Sequence, residues 1–480
     1  MPVGLNSAFD IARKGLTANL AGLNVTGHNI ANVNTEGFSR QRVDLQTSLP
    51  IKFPPGIFGT GVDVGGVNRM RNELIDRQFR RQNEDMGTFE VAERILKQLE
   101  TIFNEPSETG GIRKLLSKFF DDFQELASEP ESATMRTVVR ESATVLVESL
   151  QRFDQQMTIL SNDIGGELDQ DVNQVNELAD KIAGLNVKIS ALKNVGESPN
   201  DLMDDRDRAI NQLSKLINIH YNESSSGAIN IAAGNRSLVS DGLAVSIFRT
   251  VTTNDNGNLI TTITGESDDI PLVVNRGEIQ SLLNVRDTTI PKYREKMDQL
   301  ISHLISTVNS LHKNGVGLRG SSPNYPIDNN FFTGTDTGSI GLSDEVKRDI
   351  KNIASSERIE SVDSSGNVTV TGEPGNNKIA LEIARLKTTM VMESNTATYD
   401  DFLSGVVGSL GIEAKDATDR QQNQKNIITQ LQNLQDSYSG VSLDEEMTKL
   451  IQFQRAYQAS ARVVTVVDDL FQTLLGMAPP

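Results

Sequence analysis

The feature that most constrains this chain is a heptad repeat of apolar side chains at both of its ends. Near the N-terminus the repeat consists of a row with neighbours on the same helical face: Phe9, Leu16, Leu23 and Ile30, with Leu5, Ala12 and Leu20 beside them. Near the C-terminus it consists of a longer row with its own neighbours: Leu443, Leu450, Tyr457, Val464 and Phe471, with Met447, Phe453, Ala461, Val467, Leu474 and Leu475. Such repeats are typical of helices that pack on a partner helix, so both ends predict long amphipathic helices.

The composition excludes several classes of protein. At 480 residues the chain is too long for one ordinary core, and its length predicts roughly three domains. Its 46 basic and 64 acidic residues give a net charge of -18, which argues against nucleic acid or an anionic membrane as the main partner. The sequence has no cysteine, so it has neither a disulfide framework nor a catalytic thiolate.

The N-terminus does not resemble a cleavable signal peptide. Asp10, Arg13 and Lys14 lie where a signal peptide would need an apolar region. No uncharged apolar run approaches the roughly 20 residues of a transmembrane helix. We therefore expect no membrane partner, and export of this chain would need a route without a cleaved signal peptide.

Apolar periodicity divides the chain into helical and extended segments. Helix is predicted from residue 4 to about 34, and extended chain over 38–69, where proline and glycine are frequent. The next helical region, 70–220, contains a narrow apolar seam with an interruption at Gly165 and Gly166. The seam residues are Leu146, Leu150, Phe153, Met157, Leu160 and Ile164, then Leu168, Val172, Val175, Leu178, Ile182, Leu185, Ile189 and Leu192.

The second half of the chain alternates between β and helical patterns. Period-two patterning predicts an antiparallel insert at 227–275, with a type I′ hairpin turn at residues 254–257, Asn-Asp-Asn-Gly. Helix is predicted over 278–312, and a compact β-containing segment over 315–376. Further helices are predicted from 378 to Met392, from about 396 to Leu434, and from 442. A capping box, Ser442 with Glu445, is predicted to start the last helix.

These patterns predict a mainly α fold with β inserts, consisting of a terminal coiled coil, a long-helix bundle, a small antiparallel β insert and a β-rich outer domain. The predicted domains are a terminal assembly domain of residues 1–69 and 440–480, a helical middle domain of residues 70–314 and 377–439 with the insert at 227–275, and an outer domain of residues 315–376. Because helices enclose the inserts, the two ends of the chain are expected to pack together.

Short motifs with possible chemistry have simpler interpretations. Residues 315–320 match G-x-G-x-x-G but lack a preceding strand and a following helix, so we expect a flexible linker. Residues 190–193 and 310–313 match S-x-x-K without the other elements of a serine acyltransferase. No catalytic residue and no cofactor site is therefore predicted.

The acidic and histidine residues give no metal site. The cluster Asp201, Asp204, Asp205 and Asp207 has neither the ligand spacing nor the glycine of a calcium loop, so we expect a solvated helix start with local ion pairs. The four histidines are scattered singly.

The terminal rows have two interpretations, ordinary core or association surface. A terminal helix without neighbours in its own domain leaves its apolar stripe exposed, and exposed stripes mark association surfaces, so self-assembly is the sharper hypothesis. Asn29, Asn32 and Asn34 are expected to end the first helix through local hydrogen bonds, with lateral bonding between subunits as the rival.

Several runs resemble the bacterial flagellar axial proteins. At the N-terminus these are residues 5–8, Leu-Asn-Ser-Ala, and 27–41, Gly-His-Asn-Ile-Ala-Asn-Val-Asn-Thr-Glu-Gly-Phe-Ser-Arg-Gln. Residues 439–447 and 454–462 resemble the other end of that family, and 201–207 and 276–279 resemble internal segments. Within the superfamily, Ser39-Arg40-Gln41 is similar to the hook-associated proteins that join hook to filament, although Phe38 stands where tyrosine is common.

The resemblance implies a non-enzymatic structural subunit of the extracellular flagellum, exported unfolded by the flagellar type III path. It implies self-association into a short tube through a coiled coil of both termini. It further implies contact with the hook protein, with the adjoining hook-associated junction protein on the filament side, and with a cytoplasmic export chaperone at the C-terminal helix. A hook or rod subunit of the same superfamily, or a secreted effector, remains the alternative.

Overall fold

The computed structural model describes residues 3–53, 56–103, 111–255, 258–266, 268, 270–318, 329–362, 368–373 and 375–477. The helices are α1 (Val3–Ala31), α2 (Glu73–Phe103), α3 (Ile112–Ser128), α4 (Ala133–Asn194), α5 (Asn200–Leu216), α6 (Glu278–Asn284), α7 (Ile290–Lys313), α8 (Asp344–Arg348), α9 (Lys378–Arg385), α10 (Tyr399–Ser439) and α11 (Leu443–Gly476). One π-helical turn, Val285–Thr289, joins α6 to α7, and one 3-10 turn, Ile350–Asn352, follows α8.

The strands form small antiparallel sheets. Their bounds are β1 (Gln41–Thr47), β2 (Ile51–Phe53), β3 (Gly56–Phe58), β4 (Val62–Arg69), β5 (Ile219–Glu223), β6 (Ile229–Ala233), β7 (Arg236–Ser240), β8 (Leu243–Ala244), β9 (Phe248–Asp255), β10 (Asn258–Gly265), β11 (Gly315–Val316), β12 (Phe332–Thr333), β13 (Gly341–Leu342), β14 (Ser356–Glu357), β15 (Ile359–Val362) and β16 (Val368–Thr371). Sheets are formed by β1-β4, β2-β3, β5-β6-β7-β8, β9-β10, β11-β14, β12-β13 and β15-β16. The predicted fold class, mainly helical with β inserts, is confirmed.

A single helix of 62 residues, α4, lies at the centre of the bundle. Its predicted seam is buried from Leu146 to Ile189, against neighbours that include α3 and α5. The interruption predicted at Gly165 and Gly166 is wrong, since the helix continues through both. Each glycine costs about 1 kcal/mol relative to alanine. Each fully buried Leu, Ile or Val of the seam contributes about 1.5–3 kcal/mol. The stabilisation from burying the seam is therefore larger than the loss of helix propensity at the two glycines.

The β insert begins earlier than predicted and is attached to α4 by asparagines. The predicted start of the insert at residue 227 excludes β5. This strand follows α5 almost directly and forms one edge of the four-stranded sheet. The side chain of Asn186 donates to Ile229 O at 2.8 Å and accepts from Ile229 N–H at 3.0 Å. Pairing of Asp255 with Asn258 supports the predicted β9-β10 hairpin, although residues 256 and 257 of its turn lie outside the described residues.

The described part of residues 315–376 shares its core with the helices. Phe331 and Phe332 are fully buried and lie with their ring centroids 5.7 and 5.6 Å from that of Phe119 in α3. The linker predicted at 315–320 is wrong where the structure describes it, because Gly315 and Val316 form β11 and Val316 is buried; residues 319 and 320 lie outside the described part. The division into three domains stays a prediction.

The C-terminal helices differ in detail from the predicted ones. Helix α9 ends at Arg385, seven residues before the predicted Met392. Helix α10 packs antiparallel on α2, where the side chain of Gln424 donates to Gln82 and that of Gln435 donates to Asp76. Its first turn carries a capping box, Thr398 with Asp401, that the sequence interpretation missed.

His312, at the end of α7, connects the helical bundle to the segment that follows it. Its Nε2 accepts a hydrogen bond from Ala354 N–H at 2.9 Å, so the proton lies on Nδ1, which donates to Asn329 O at 2.7 Å. Complete burial, with a smaller effect from the positive charge of Arg136, lowers the pKa of His312 to about 4. The neutral ring is therefore part of the folded structure.

Acid is expected to destabilise this connection. Because the folded pKa of about 4 lies below the ordinary 6.5, the contribution of His312 is fully present above pH 6.5 and is lost as the pH falls from 6.5 towards 4. The loss is on the order of 3 kcal/mol. We expect the protection factor of the Ala354 amide in hydrogen exchange to fall across this range, and to fall less in His312→Gln, which does not titrate. Equal pH dependence in both proteins would contradict the assignment.

Candidate assembly surface

Helices α1 and α11 pack in opposite directions with a heptad register. A Cβ built on Gly15 would lie 3.0 Å from Ser460 Oγ, and one on Gly22 would lie 2.6 Å from the ring of Phe453. One further heptad along, Asn29 Nδ2 donates to Glu446 Oε2 at 2.9 Å. Residue numbers rise by seven on α1 as they fall by seven on α11, which defines an antiparallel coiled-coil pair.

Glycines of α1 lie against α11, and other small residues of the same helix are buried. Ala12, Ala18, Gly22 and Thr26 are all buried. Small side chains let the two backbones approach closely, so that a large side chain such as Phe453 fits against a glycine. The predicted α1 row lies beside this contact row and not in it. The sequence interpretation included Ala12 but missed Gly15 and Gly22, because hydrophobic periodicity gives no weight to glycine.

The residues predicted for the assembly interface divide into two groups. Those at least half-buried within the chain are Leu5, Leu16, Leu23, Ile30, Leu450, Phe453, Ala461, Val464, Val467 and Phe471. Those left exposed are Phe9, Leu20, Leu443, Met447, Tyr457, Leu474 and Leu475. The first group of predicted residues thus packs within the chain, and the second group is exposed on its surface. Contact of the second group with another subunit stays a prediction.

A second apolar row runs along one flank of α11. We call Val463, Val466, Leu470, Leu474 and Met477 the outer strip. Their spacing of three and four residues places the first four on one flank of the helix, with Met477 directly after its end, and Val466 is 56 % exposed. Val463 and Ile11 line one hollow, so the outer strip continues onto α1. Only Leu474 was predicted, although apolar residues on two sides of the helix were a detectable signal.

A buried polar group closes one end of the helix pair. Asn29 Nδ2 donates to Gln41 O and Asn29 Oδ1 accepts from Gln41 N–H, both at 2.9 Å. Glu446 is 1 % exposed and accepts from Asn29 and from Arg40 Nε at 2.9 Å. Burial alone would raise the pKa of Glu446, but the hydrogen bonds from Asn29 and Arg40 outweigh burial and lower it.

This polar group corrects two sequence predictions. Asn32 forms the expected local bond, donating to His28 O at 3.0 Å, whereas Asn29 connects α1 to β1 and α11. The capping box at Ser442 is wrong, since its side chain makes no capping bond. Glu445 instead accepts from Arg40 Nη2 at 2.7 Å, because an arginine brought close by β1 offers a stronger, charge-assisted donor.

A buried arginine–aspartate cluster joins this terminal region to the bundle. We give this name to Arg69, Arg71, Arg80, Asp204 and Asp207. Arg69 Nη1 lies 2.7 Å from Asp204 Oδ1 and 2.8 Å from Asp207 Oδ2. Arg71 and Arg80 lie 2.7 and 2.8 Å from Asp207. Burial would raise the pKa of Asp207, but the charges of Arg71, Arg80 and Arg69 outweigh burial and lower it to about 2.

The solvated helix start predicted for these aspartates is therefore wrong for two of them. The side chains of Asp204 and Asp207 are only 4 % and 10 % exposed. Asp205 does form a local pair with Arg208, as predicted, and Asp201 accepts from Gln41. The arginine partners lie more than 120 residues away in sequence, so local patterning could not reveal them.

The described residues show no arrangement for metal chemistry. In this part of the chain no three His, Cys, Asp or Glu side chains are grouped to hold a metal ion. None of its helices is both long and apolar enough to cross a bilayer. In the first of the two S-x-x-K runs, Lys193 pairs with Glu223.

Family models match three parts of the chain. Residues 96–332 match the family described as "Flagellar hook-associated protein FlgK helical domain". Residues 434–477 match "Flagellar basal body rod FlgEFG protein C-terminal", and residues 9–38 match "Flagella basal body rod protein".

Similar proteins match over almost the whole length. The chain is 28 % identical to flagellar hook-associated protein 1 of Bacillus subtilis, covering 98 % of this chain and 97 % of that protein. It is 24 % identical to flagellar hook-associated protein 1 of Escherichia coli, covering 98 % and 100 %. A solved structure of the flagellar hook junction protein FlgK from Burkholderia pseudomallei matches 75 % of this chain and 100 % of that one, with a TM-score of 0.62 and 15 % identity, which supports the fold.

The protein is thus an axial structural component of the bacterial flagellum. Its helical middle matches the hook-associated FlgK family, and the chain is similar over almost its whole length to flagellar hook-associated protein 1 of other bacteria.

The close approach at Gly22 is testable with a matched pair of variants. In Gly22→Ala the new methyl group overlaps the Phe453 ring, and overpacking of this kind costs about 1–3 kcal/mol. Gly27→Ala on the same helix meets no atom within 4 Å and gains only about 1 kcal/mol of helix propensity. Hydrogen exchange of α1 amides should therefore accelerate in Gly22→Ala and slow in Gly27→Ala. The same change in both variants would exclude a close contact with α11.

The arginine–aspartate cluster predicts a large effect of one charge. In Asp207→Asn three buried arginines lose a shared carboxylate, which should destabilise the protein by about 3–5 kcal/mol. Asp205→Asn, two residues earlier in α5, removes only the half-exposed pair with Arg208 and should change stability by less than about 0.5 kcal/mol. The midpoint of urea unfolding, followed by circular dichroism, measures both. Similar midpoints would show that the cluster contributes little.

Proposed function

We propose that this chain is a structural subunit of the junction between hook and filament, and that it self-assembles through the outward faces of its terminal helix pair. One combination of features supports the proposal. The chain carries a helical domain of the hook-associated family together with a terminal pair whose outer strip is exposed. The family supplies the place in the flagellum, and the outer strip supplies a physical means of assembly.

The terminal segments alone do not distinguish this function from its main alternative. Both match families of basal body rod proteins, which favours a hook or rod subunit equally well. The helical domain at 96–332 matches the hook-associated family and so favours the junction. We therefore assign the terminal pair to assembly in general and the middle of the chain to the identity of the subunit.

The energetics of the outer strip favour a tube over a dimer. Complete burial of a Val, Leu or Met side chain contributes about 1.5–3 kcal/mol, so covering a half-exposed strip of five contributes on the order of 5 kcal/mol. Association costs about 4–15 kcal/mol in lost translational and rotational freedom. A single contact through this strip barely offsets that cost. A subunit in a tube meets neighbours on several sides, and the contributions add.

The partners of the proposed subunit follow from its place in the flagellum. The hook protein would lie on one side, and the adjoining hook-associated junction protein on the filament side. Before export without a cleaved signal peptide, a cytoplasmic chaperone would cover α11, whose exposed aliphatic side chains otherwise favour aggregation. After export the chain would be extracellular.

Location discriminates the proposal from its alternative. Antibody against the chain should label the boundary between hook and filament in electron micrographs, and deletion of its gene should leave hooks without filaments. Label along the length of the hook or rod would support the alternative subunit. Intact motility after deletion would favour a secreted effector.

A charge in the outer strip should prevent assembly and leave the chain folded. In Val466→Asp a carboxylate replaces an exposed aliphatic group that a neighbouring subunit would bury, so filament attachment should be lost in a strain with no other copy. Thr465→Asp adds the same charge at the next position, which is exposed on the polar side of the helix, and should support normal attachment. Swimming assays and electron microscopy of the hooks measure the difference.

Two measurements keep this test specific to assembly. Both variants should appear in the culture medium in equal amounts, which shows that export is intact. Their helical content by circular dichroism should equal that of the unaltered chain. Normal filaments on hooks of the Val466→Asp strain would exclude the outer strip as an assembly contact.

A further inference from the structure

The apolar rows of α1 and α11 are compatible with more than one register. In the observed register Gly15 faces Ser460, Gly22 faces Phe453 and Asn29 bonds to Glu446. A slide of α11 by one heptad would bring Val467 opposite Gly15, Ser460 opposite Gly22 and Phe453 opposite Asn29. The two glycines leave room for Val467 and Ser460, so packing at the glycines discriminates weakly between the two registers.

Glu446 discriminates strongly between the observed and the displaced register, because its carboxylate is buried and its hydrogen-bond donors are fixed in place. It accepts hydrogen bonds from Asn29 Nδ2 and Arg40 Nε at 2.9 Å, and from Lys449 Nζ at 3.3 Å. After a slide by one heptad, Glu446 would lose Asn29 and Arg40, and Phe453 would meet the Asn29 amide. Asn29 cannot turn away, since Gln41 holds its side chain through both backbone groups. Leaving such groups unpaired costs several kcal/mol.

We infer that Glu446 determines the register of the terminal helix pair, acting through Asn29 and Arg40 as a positioning residue for assembly. A single polar position within an apolar repeat specifies alignment in coiled coils at some cost in stability. The consequence for the surface rests on the proposed function. A slide of one heptad displaces the outer strip by about 10 Å along α1, so a neighbouring subunit would meet a different surface.

The absence of cysteine from the sequence makes register directly measurable. A Cβ built on Gly15 lies 3.7 Å from Ser460 Cβ, within the range that a disulfide requires. Gly15→Cys with Ser460→Cys therefore reports the observed register, and Gly15→Cys with Val467→Cys reports the register displaced by one heptad. Each pair is oxidised in the purified full-length chain. A denaturing gel without reductant separates bonds within one chain from bonds between chains.

The two reporters should respond oppositely to loss of the buried charge. With Glu446 present, the displaced pair should form at no more than about a tenth of the level of the observed pair. In Glu446→Leu the displaced pair should rise at least tenfold while the observed pair falls. In Glu446→Gln the observed pair should persist, because the amide still bonds to Asn29 and accepts from Arg40.

A neighbouring acid serves as the matched control. Glu445→Leu removes an Arg40 partner whose side chain is 61 % exposed, and the observed pair should persist. Asn29→Leu removes the α1 partner and should allow the displaced pair, which provides a second test if Glu446→Leu folds poorly by circular dichroism. Retention of the observed pair alone in both Glu446→Leu and Asn29→Leu would overturn the inference, as would failure of the observed pair to form with Glu446 present.

Crosslinking separates this inference from the proposed function. Register is scored in the isolated chain, whereas the proposed function is scored by filament attachment and by labelling in the cell. A displaced register in Glu446→Leu would support the inference even if the Val466→Asp strain formed normal filaments. Conversely, an unchanged register would leave the assembly function of the outer strip intact.

Discussion

The arginine–aspartate cluster is the interaction on which the layout of this chain depends. It joins residues at the end of β4, in α2 and in α5, and so fixes where the terminal region meets the helical bundle. Buried charges are expensive to desolvate, and three guanidinium groups around two carboxylates are stable only when each is paired. The low pKa of Asp207, about 2, shows that the surrounding charges outweigh burial.

Three consecutive residues next to this cluster form hydrogen bonds that connect α1, α5, α10 and α11. Ser39 donates through its backbone and its hydroxyl to Asp204 of α5, at 2.8 and 2.7 Å. Arg40 binds Glu446 of α11, and its backbone N–H donates to Ser439 O at the end of α10. Gln41 pairs with Asn29 of α1. The run Ser39-Arg40-Gln41 that carried the family resemblance is therefore the point at which α1, α5, α10 and α11 meet.

Local periodicity predicted the long helices, including the α4 seam and the two terminal helices, because an apolar repeat is a property of one segment. Contacts between distant segments were not predictable in this way. Asn29, Asn186 and Asn309 resemble turn or cap residues in sequence, yet each pairs from a helix with the backbone of an extended segment. Phe331 and Phe332 lie in a segment rich in Gly, Ser and Asn, so their burial under α3 depends on tertiary packing.

The two sides of α11 carry different side chains and favour different kinds of contact. The side that faces α1 meets small residues and ends at a buried charge. This arrangement favours a close approach of the two helices in one alignment rather than a strong hydrophobic contact. The outer strip consists of large aliphatic side chains without such a charge, an arrangement that favours strength over alignment. If the first side sets the position of the second, as inferred above, the proposed hydrophobic contact through the outer strip would have a defined geometry. In the proposed assembly a net charge of -18 on each chain opposes association, and a well-aligned apolar surface would offset this repulsion.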